Sequence, residues 1–98
     1  MDYNNLLKNK TALVTAGANG IGYAIAKKFE VSGAKVFVCD INQDAVDMVN
    51  KNHQNIKAIF CDLSQTQMIS SMVESAFDFL GYLNIIVNNL SLIHISEP

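Results

Sequence analysis

The segment Thr15-Ala16-Gly17-Ala18-Asn19-Gly20-Ile21-Gly22 constrains this chain more than any other. It follows the apolar run Ala12-Leu13-Val14 and opens onto Ile21, Ala24, Ile25 and Phe29, which recur at helical spacing. A glycine-rich turn between a buried strand and a helix lets backbone N–H groups approach a phosphate. The helix N-terminus adds partial positive charge at the same place. A glycine cluster alone is a weak signal, so its meaning rests on what the other strands carry at the same end.

The rest of the chain repeats the pattern. Short apolar runs at Lys10–Thr15, Lys35–Cys39, Ile56–Cys61 and Asn84–Asn88 lack clean alternation, as expected of strands covered on both faces. Helical patterns lie between them. One spans about Gly20 to Ser32, with Gly33 suited to its left-handed C-terminal position. A second covers about Gln43 to Lys51, with Val46 and Val49 facing inward. A third runs from about Gln65 to Leu80, with Ile69, Met72, Val73, Ala76 and Phe77 recurring at helical spacing, Ser64 and Gln67 as a capping box, and Gly81 as the stop. Strand and helix in strict alternation predict an α/β fold: a parallel four-stranded sheet forming the N-terminal half of a doubly wound Rossmann architecture.

Bulk properties narrow the function. A chain of 98 residues holds at most one small domain, and 50% apolar residues suffice for a core. The net charge of −2, with no basic run longer than Lys27-Lys28, argues against nucleic acid or an anionic membrane as partner. No apolar run approaches the roughly 18 residues of a membrane span, and the start has no signal-peptide order. Cys39 and Cys61 lie in apolar runs without metal-ligand spacing, which reads as buried free thiols in a cytoplasmic protein. Met68 and Met72 read as core filler.

In a doubly wound sheet, ligands bind beyond the carboxyl ends of the strands. The second strand ends at Asp40, eighteen positions after Gly22. A carboxylate there accepts bonds from the two hydroxyls of an adenosine ribose and repels a 2′-phosphate, favouring NAD over NADP. The competing reading is a cap for the following helix. The third strand ends in Cys61-Asp62-Leu63-Ser64, where Asp62 suits an adenine amino group and Leu63 the ring beside it; a solvated carboxylate near a helix N-terminus is the alternative. Asn88 and Asn89 close the fourth strand, either bonding neighbouring backbone and lining a cofactor cleft or forming an ordinary turn.

As a set, TAGANGIG, Asp40, Asp62-Leu63 and Asn88-Asn89 resemble the N-terminal half of a short-chain dehydrogenase/reductase over about Leu7 to Asn89. That family pairs a TGxxxGxG turn with an acidic residue after the second strand, an Asp after the third and NNAG after the fourth. The resemblance implies a Rossmann fold, an NAD cofactor, and hydride transfer between a small-molecule alcohol and a ketone or aldehyde. It also implies a homo-oligomeric parent enzyme. The cofactor residues carried over are Thr15, Ala16, Gly17, Asn19, Gly20, Ile21, Gly22, Asp40, Asp62, Leu63, Asn88 and Asn89.

Two positions depart from the pattern. Ala16 stands where the family has its first glycine, at a cost of roughly 1–2 kcal/mol if that position needs a positive φ, unless Gly17 absorbs the turn. After Asn89 the chain reads Leu90-Ser91 instead of Ala-Gly, and Leu90 to Pro98 resembles the translation of a transposon-end sequencing adapter. The reading is therefore a partial NAD-binding domain over 1–89 with a non-native tail over 90–98, and His94 in that tail is given no function.

The family's proton-handling group is a Tyr in a YxxxK arrangement with an upstream Ser. Only Tyr23 has a Lys four positions on, at Lys27, and both fall on the helix after the phosphate turn. No catalytic residue is assigned, and the 98 residues alone are expected to be inactive and poorly stable, with the fourth strand an open edge. Two other readings compete. An S-adenosylmethionine-dependent methyltransferase shares the acidic strand ends but clusters its glycines more tightly and does not call for the Asn pair. A non-catalytic dinucleotide-binding sensor shares everything present.

Overall fold

A computed structural model describes residues 5–89. Strand β1 (Thr11–Thr15) leads to helix α1 (Gly20–Val31), β2 (Lys35–Asp40), α2 (Gln43–Asn52), β3 (Ile56–Phe60), α3 (Thr66–Leu80) and β4 (Ile85–Val87). The four strands form one parallel sheet in the order β3-β2-β1-β4. Thr11 to Thr15 register against Lys35 to Cys39, and Val36 to Asp40 against Ile56 to Phe60, so these strands end almost level.

Alternation along the strands divides the core into two layers. Ala12, Val14, Val36, Val38, Ile56 and Ala58 face α1 and α2, meeting Ala26, Val46 and Val49. Leu13, Phe37 and Cys39 face the other way, toward Cys61, Met72, Ala76 and Leu80. Small residues under two helices and large ones under a single helix keep both faces filled. Cys39 and Cys61 are free thiols in this second layer, and Met72 is packed there as core filler, with Met68 half-buried beside it.

Boundaries differ from the sequence reading in ways with local causes. β4 is shorter than expected because Asn84 uses its side chain: its Oδ1 accepts the Thr11 N–H at 3.0 Å, replacing a ladder bond. The Ser64–Gln67 capping box is absent. Ser64 instead donates its N–H and hydroxyl to Asp62 Oδ1, at 3.0 and 2.7 Å, and Gln65 stands at the N-cap without a side-chain bond. An ionised carboxylate two residues back is the better acceptor. Gly33 and Gly81 do end their helices at positive φ, 102° and 83°.

Val73 and Phe77 stand at the open side of the apolar stripe of α3. Both are exposed, at 38% and 47%, although they share the helical spacing of Met72 and Ala76. The apolar stripe of α3 is wider than the sheet beneath it, so its outer flank overhangs β4. There Val73 and Phe77 line an apolar hollow of about 300 Å³ with Leu13, Leu80, Leu83 and Ile86. Residues 90–98, with the expected non-native tail, lie outside the described residues. No described helix is long and apolar enough to cross a membrane.

Candidate functional site

All four strands deliver polar or flexible residues to one edge of the sheet. After β1 the backbone turns at Ala16, whose φ is +51°. Gly17 therefore does not absorb the turn; the strained conformation sits on the alanine itself. Gly17 is needed for space. A Cβ there would stand 2.7 Å from the Cβ and Cγ1 of Val38 and 2.9 Å from the Val14 carbonyl oxygen. Asn19, at the N-cap of α1, accepts the Gly20 N–H at 3.0 Å. Gly20 has φ +59° with open space where a Cβ would project. Gly22 is the tightest position: a Cβ would run into the Ala16 carbonyl and come 2.7 Å from Asn89 Nδ2. The turn is thus drawn down onto the sheet by two glycines, while Gly20 and the 74%-exposed Ile21 stand open at the helix N-terminus.

Asp40 closes the next strand, 9% exposed. Its Oδ2 accepts the Ala18 N–H at 3.1 Å and its Oδ1 the Asn42 N–H at 3.0 Å. The α2 cap is Asn42, whose Oδ1 accepts the Ala45 N–H at 3.0 Å, so the capping alternative for Asp40 is not what forms. A carboxylate has about four acceptor positions, and the described partners fill two of Asp40's.

Asp62, after β3, is locked by Ser64, and the Ser64 hydroxyl and then its N–H hold the Asp62 pKa below the ordinary carboxylate value. Leu63 beside it is half-buried against the Cys61 layer. Asn88 and Asn89 bond to the turn. The Asn89 N–H donates to Thr15 Oγ1 at 2.8 Å, Thr15 Oγ1 donates to Asn88 Oδ1 at 3.1 Å, and Asn89 Nδ2 reaches the Ala16 carbonyl at 3.5 Å. The twin asparagines therefore fasten the end of β4 to the glycine turn.

Under this edge lie the two thiols. Burial, and then the neighbouring Cys61, push the Cys39 thiol up to about 11. Burial, and then Asp62, also raise that of Cys61. Both shifts disfavour the reactive thiolate. Among the described residues, no group of three or more His, Cys, Asp or Glu is placed to hold a metal.

Sequence reasoning missed two exposed apolar side chains at the same edge, Ile41 (66%) and Phe60 (40%). The signal for Ile41 was available: a bulky apolar residue directly after the strand-ending Asp40, outside every core pattern. Missed as well was the Ala18 N–H that braces Asp40, which no residue identity announces. The Tyr23/Lys27 spacing has a structural explanation, since Lys27 Nζ lies 4.7 Å from the Tyr23 ring centroid.

The arrangement offers open helix N–H groups beside a carboxylate with spare acceptor capacity, and exposed apolar surface flanking it. The family model described as short chain dehydrogenase matches residues 10–97. This chain belongs to the short-chain dehydrogenase family. That match runs past Asn89, where the motif resemblance stops. The chain is 35% identical over 94 residues to a 3-oxoacyl-(acyl-carrier-protein) reductase of Chlamydia muridarum, covering 91% of this chain and 38% of that protein. A hydroxysteroid dehydrogenase of Escherichia coli shares its fold with a TM-score of 0.77 and 38% identity, over 90% of this chain and 40% of that one. A 3-ketoacyl-(acyl-carrier-protein) reductase of Brucella melitensis, solved with NADH, gives a TM-score of 0.76 and 30% identity over 82% of this chain and 34% of that one. This short-chain dehydrogenase sequence therefore spans about a third to two fifths of the length of these relatives. The methyltransferase and sensor readings gain no support from these matches.

Proposed function

We propose that this chain is the NAD-binding part of a short-chain dehydrogenase that transfers hydride between an alcohol and a ketone or aldehyde. The single observation that carries the NAD reading is Asp40. Its carboxylate is held at the end of β2 by the Ala18 and Asn42 N–H groups, with acceptor positions left for ribose hydroxyls.

The distribution of positive charge supports the same reading. All seven basic residues are lysines. Lys8, Lys10, Lys35 and Lys57 lie before or at the starts of strands, and Lys27, Lys28 and Lys51 in the C-terminal halves of helices that run back to that side. Among the described residues, no lysine stands at the strand ends or in the turns of the carboxyl edge, while Asp40 opposes a 2′-phosphate. The glycine cradle fits a pyrophosphate: Gly17 and Gly22 bring the backbone close, and the first-turn N–H groups of α1 at Ile21 and Gly22 face the phosphate charge. Ile41, Phe60 and Leu63 offer apolar surface for the adenine, and Asp62 an acceptor for its amino group.

When bound, the nicotinamide ring supplies the hydride donor or acceptor. In this reading the chain's own residues bind and orient the dinucleotide, and the Ser and YxxxK residues that handle the proton lie outside the 98 residues. The chain alone is then a cofactor grip without turnover, and the parent a homo-oligomeric cytoplasmic oxidoreductase of small molecules. Titration with NADH, followed by the reduced-nicotinamide fluorescence, tests the reading against S-adenosylmethionine as a competitor. Saturable NADH binding that S-adenosylmethionine does not displace is expected. Binding of S-adenosylmethionine with no response to NADH would contradict it.

A further inference from the structure

From the first turn of α1 to the α2–β3 connection, side chains form a hydrogen-bonded chain that cofactor contact does not explain. Tyr23 Oη lies 2.9 Å from His53 Nε2, and His53 Nδ1 lies 2.8 Å from Glu30 Oε1. The second Glu30 oxygen accepts the Asn55 N–H at 3.3 Å. The Tyr23 and His53 rings meet edge to face, centroids 5.7 Å apart, with Lys27 over the tyrosine. His53 and Glu30 side chains are only 13% and 22% exposed, so water competes poorly for these bonds.

Donor and acceptor capacity assigns the protons. An ionised Glu30 only accepts, so His53 Nδ1 carries the hydrogen that faces it. A neutral imidazole then presents Nε2 as an acceptor, and the Tyr23 hydroxyl donates to it. With the ring neutral, the bonds run in one direction, Tyr23 to His53 to Glu30, with the hydrogen on His53 Nδ1.

The chain of bonds acts on the helix that carries the phosphate turn. Tyr23, Lys27 and Glu30 are spaced four and three apart, hence on one stripe of α1. His53 caps the C-terminus of α2, and the Asn55 carbonyl accepts the Val36 N–H at 2.8 Å, which ties it to β2. The buried positions of α1 are the small residues Gly22 and Ala26, so the larger Tyr23 and Phe29, partly buried against the same core layer, carry much of the resistance to rolling. Tyr23 directly follows Gly22 in the turn whose amides face the phosphates.

We infer that Tyr23, His53 and Glu30 are positioning residues for the dinucleotide, setting the roll of α1 and so the aim of its first-turn N–H groups. This rests on the cofactor reading above. The full 98-residue chain tests it with Tyr23→Phe, which keeps the ring and the Lys27 contact, and with Glu30→Ala against the acceptor-retaining Glu30→Gln. Two readouts are used: binding of ADP, NADH and adenosine, and 15N spectra of the His53 imidazole, identified by its loss in His53→Ala. At a pH where the ring is neutral, the wild type shows a protonated Nδ1 and an unprotonated Nε2. Tyr23→Phe and Glu30→Ala weaken ADP and NADH by about threefold to tenfold, the equivalent of one net hydrogen bond, and leave adenosine unchanged; Glu30→Gln recovers most of the loss. A protonated Nε2 in the wild type overturns the inference, as does ADP affinity unchanged in Tyr23→Phe or adenosine weakened equally with ADP. Failure of the wild type to bind any of the three ligands overturns the cofactor reading itself, and this assignment with it.

Discussion

The Ala18 N–H donates to Asp40 Oδ2 at 3.1 Å, across 22 residues of sequence, and so ties the phosphate turn to the end of β2. The bond is buried, which makes its loss expensive. Asp40→Ala strands both the Ala18 and Asn42 N–H groups and is expected to lower stability by about 1–3 kcal/mol. Asp40→Asn keeps one acceptor oxygen for one of the two donors, so its loss falls between. Urea unfolding of the three chains checks the order, and equal midpoints would show that the bond does not brace the turn.

The four residues of the turn respond differently to a methyl group. Ala16 sits at φ +51°, so Ala16→Gly relieves left-handed strain and is expected to stabilise by about 1 kcal/mol. Gly20→Ala meets open space but takes on that strain, losing about the same amount. Gly17→Ala is forced against Val38 and the β1 backbone and costs about 1–3 kcal/mol. Gly22→Ala collides with the Ala16 carbonyl and is the worst of the set. Thermal midpoints in the order Ala16→Gly, wild type, Gly20→Ala, Gly17→Ala, Gly22→Ala are the prediction.

Two titrations leave marks at opposite ends of the pH scale. The Cys39 pKa is raised in the fold, from 9.0 to about 11. Its contribution is therefore fully present below pH 9.0 and is lost as pH rises toward about 11. Cys39→Ser should flatten that alkaline decline, and a thiol reagent at pH 8 should label Cys39 only on unfolding. Asp62 is shifted the other way, so its contribution is present above its ordinary 3.8 and is lost as acid protonates the folded form. Ser64→Ala removes the largest cause, and NMR titration should find the Asp62 carboxyl moved back up toward 3.8.

The overhanging flank of α3 is expected to govern solubility. Phe77 and Ile86 are 47% and 64% exposed, so Phe77→Ser with Ile86→Thr removes apolar surface at little cost to the core. Light scattering should show less association for the double variant than for the wild type at equal concentration. Identical profiles would mean that this flank does not drive association.

Much of this was legible in the chain. Short unalternating runs with helices between them led to a parallel sheet because both sheet faces are buried, and Asp40, Thr15 and the Asn pair do stand at one edge. What stayed hidden depends on distances across the fold. Val73 and Phe77 share the helical spacing of Met72 and Ala76, and only the width of the sheet below decides which are covered. The Ser64 capping box failed because Asp62 competes for the same donors, a contest that residue identity alone leaves open. That Gly17 serves close packing while Ala16 bears the positive φ could not be read from adjacent small residues. Tyr23 and Lys27 match a catalytic spacing, yet the tyrosine hydroxyl is bonded to a histidine thirty residues away.

The most direct test is the ratio of NADPH to NADH dissociation constants for the chain, measured in wild type and in Asp40→Ala. A carboxylate within a few ångströms of a 2′-phosphate repels it by about 1–4 kcal/mol at intermediate dielectric, so NADH should bind at least about fivefold more tightly to the wild type. In Asp40→Ala that ratio should shrink toward one. Equal affinities in the wild type, or tighter binding of NADPH, would contradict the account.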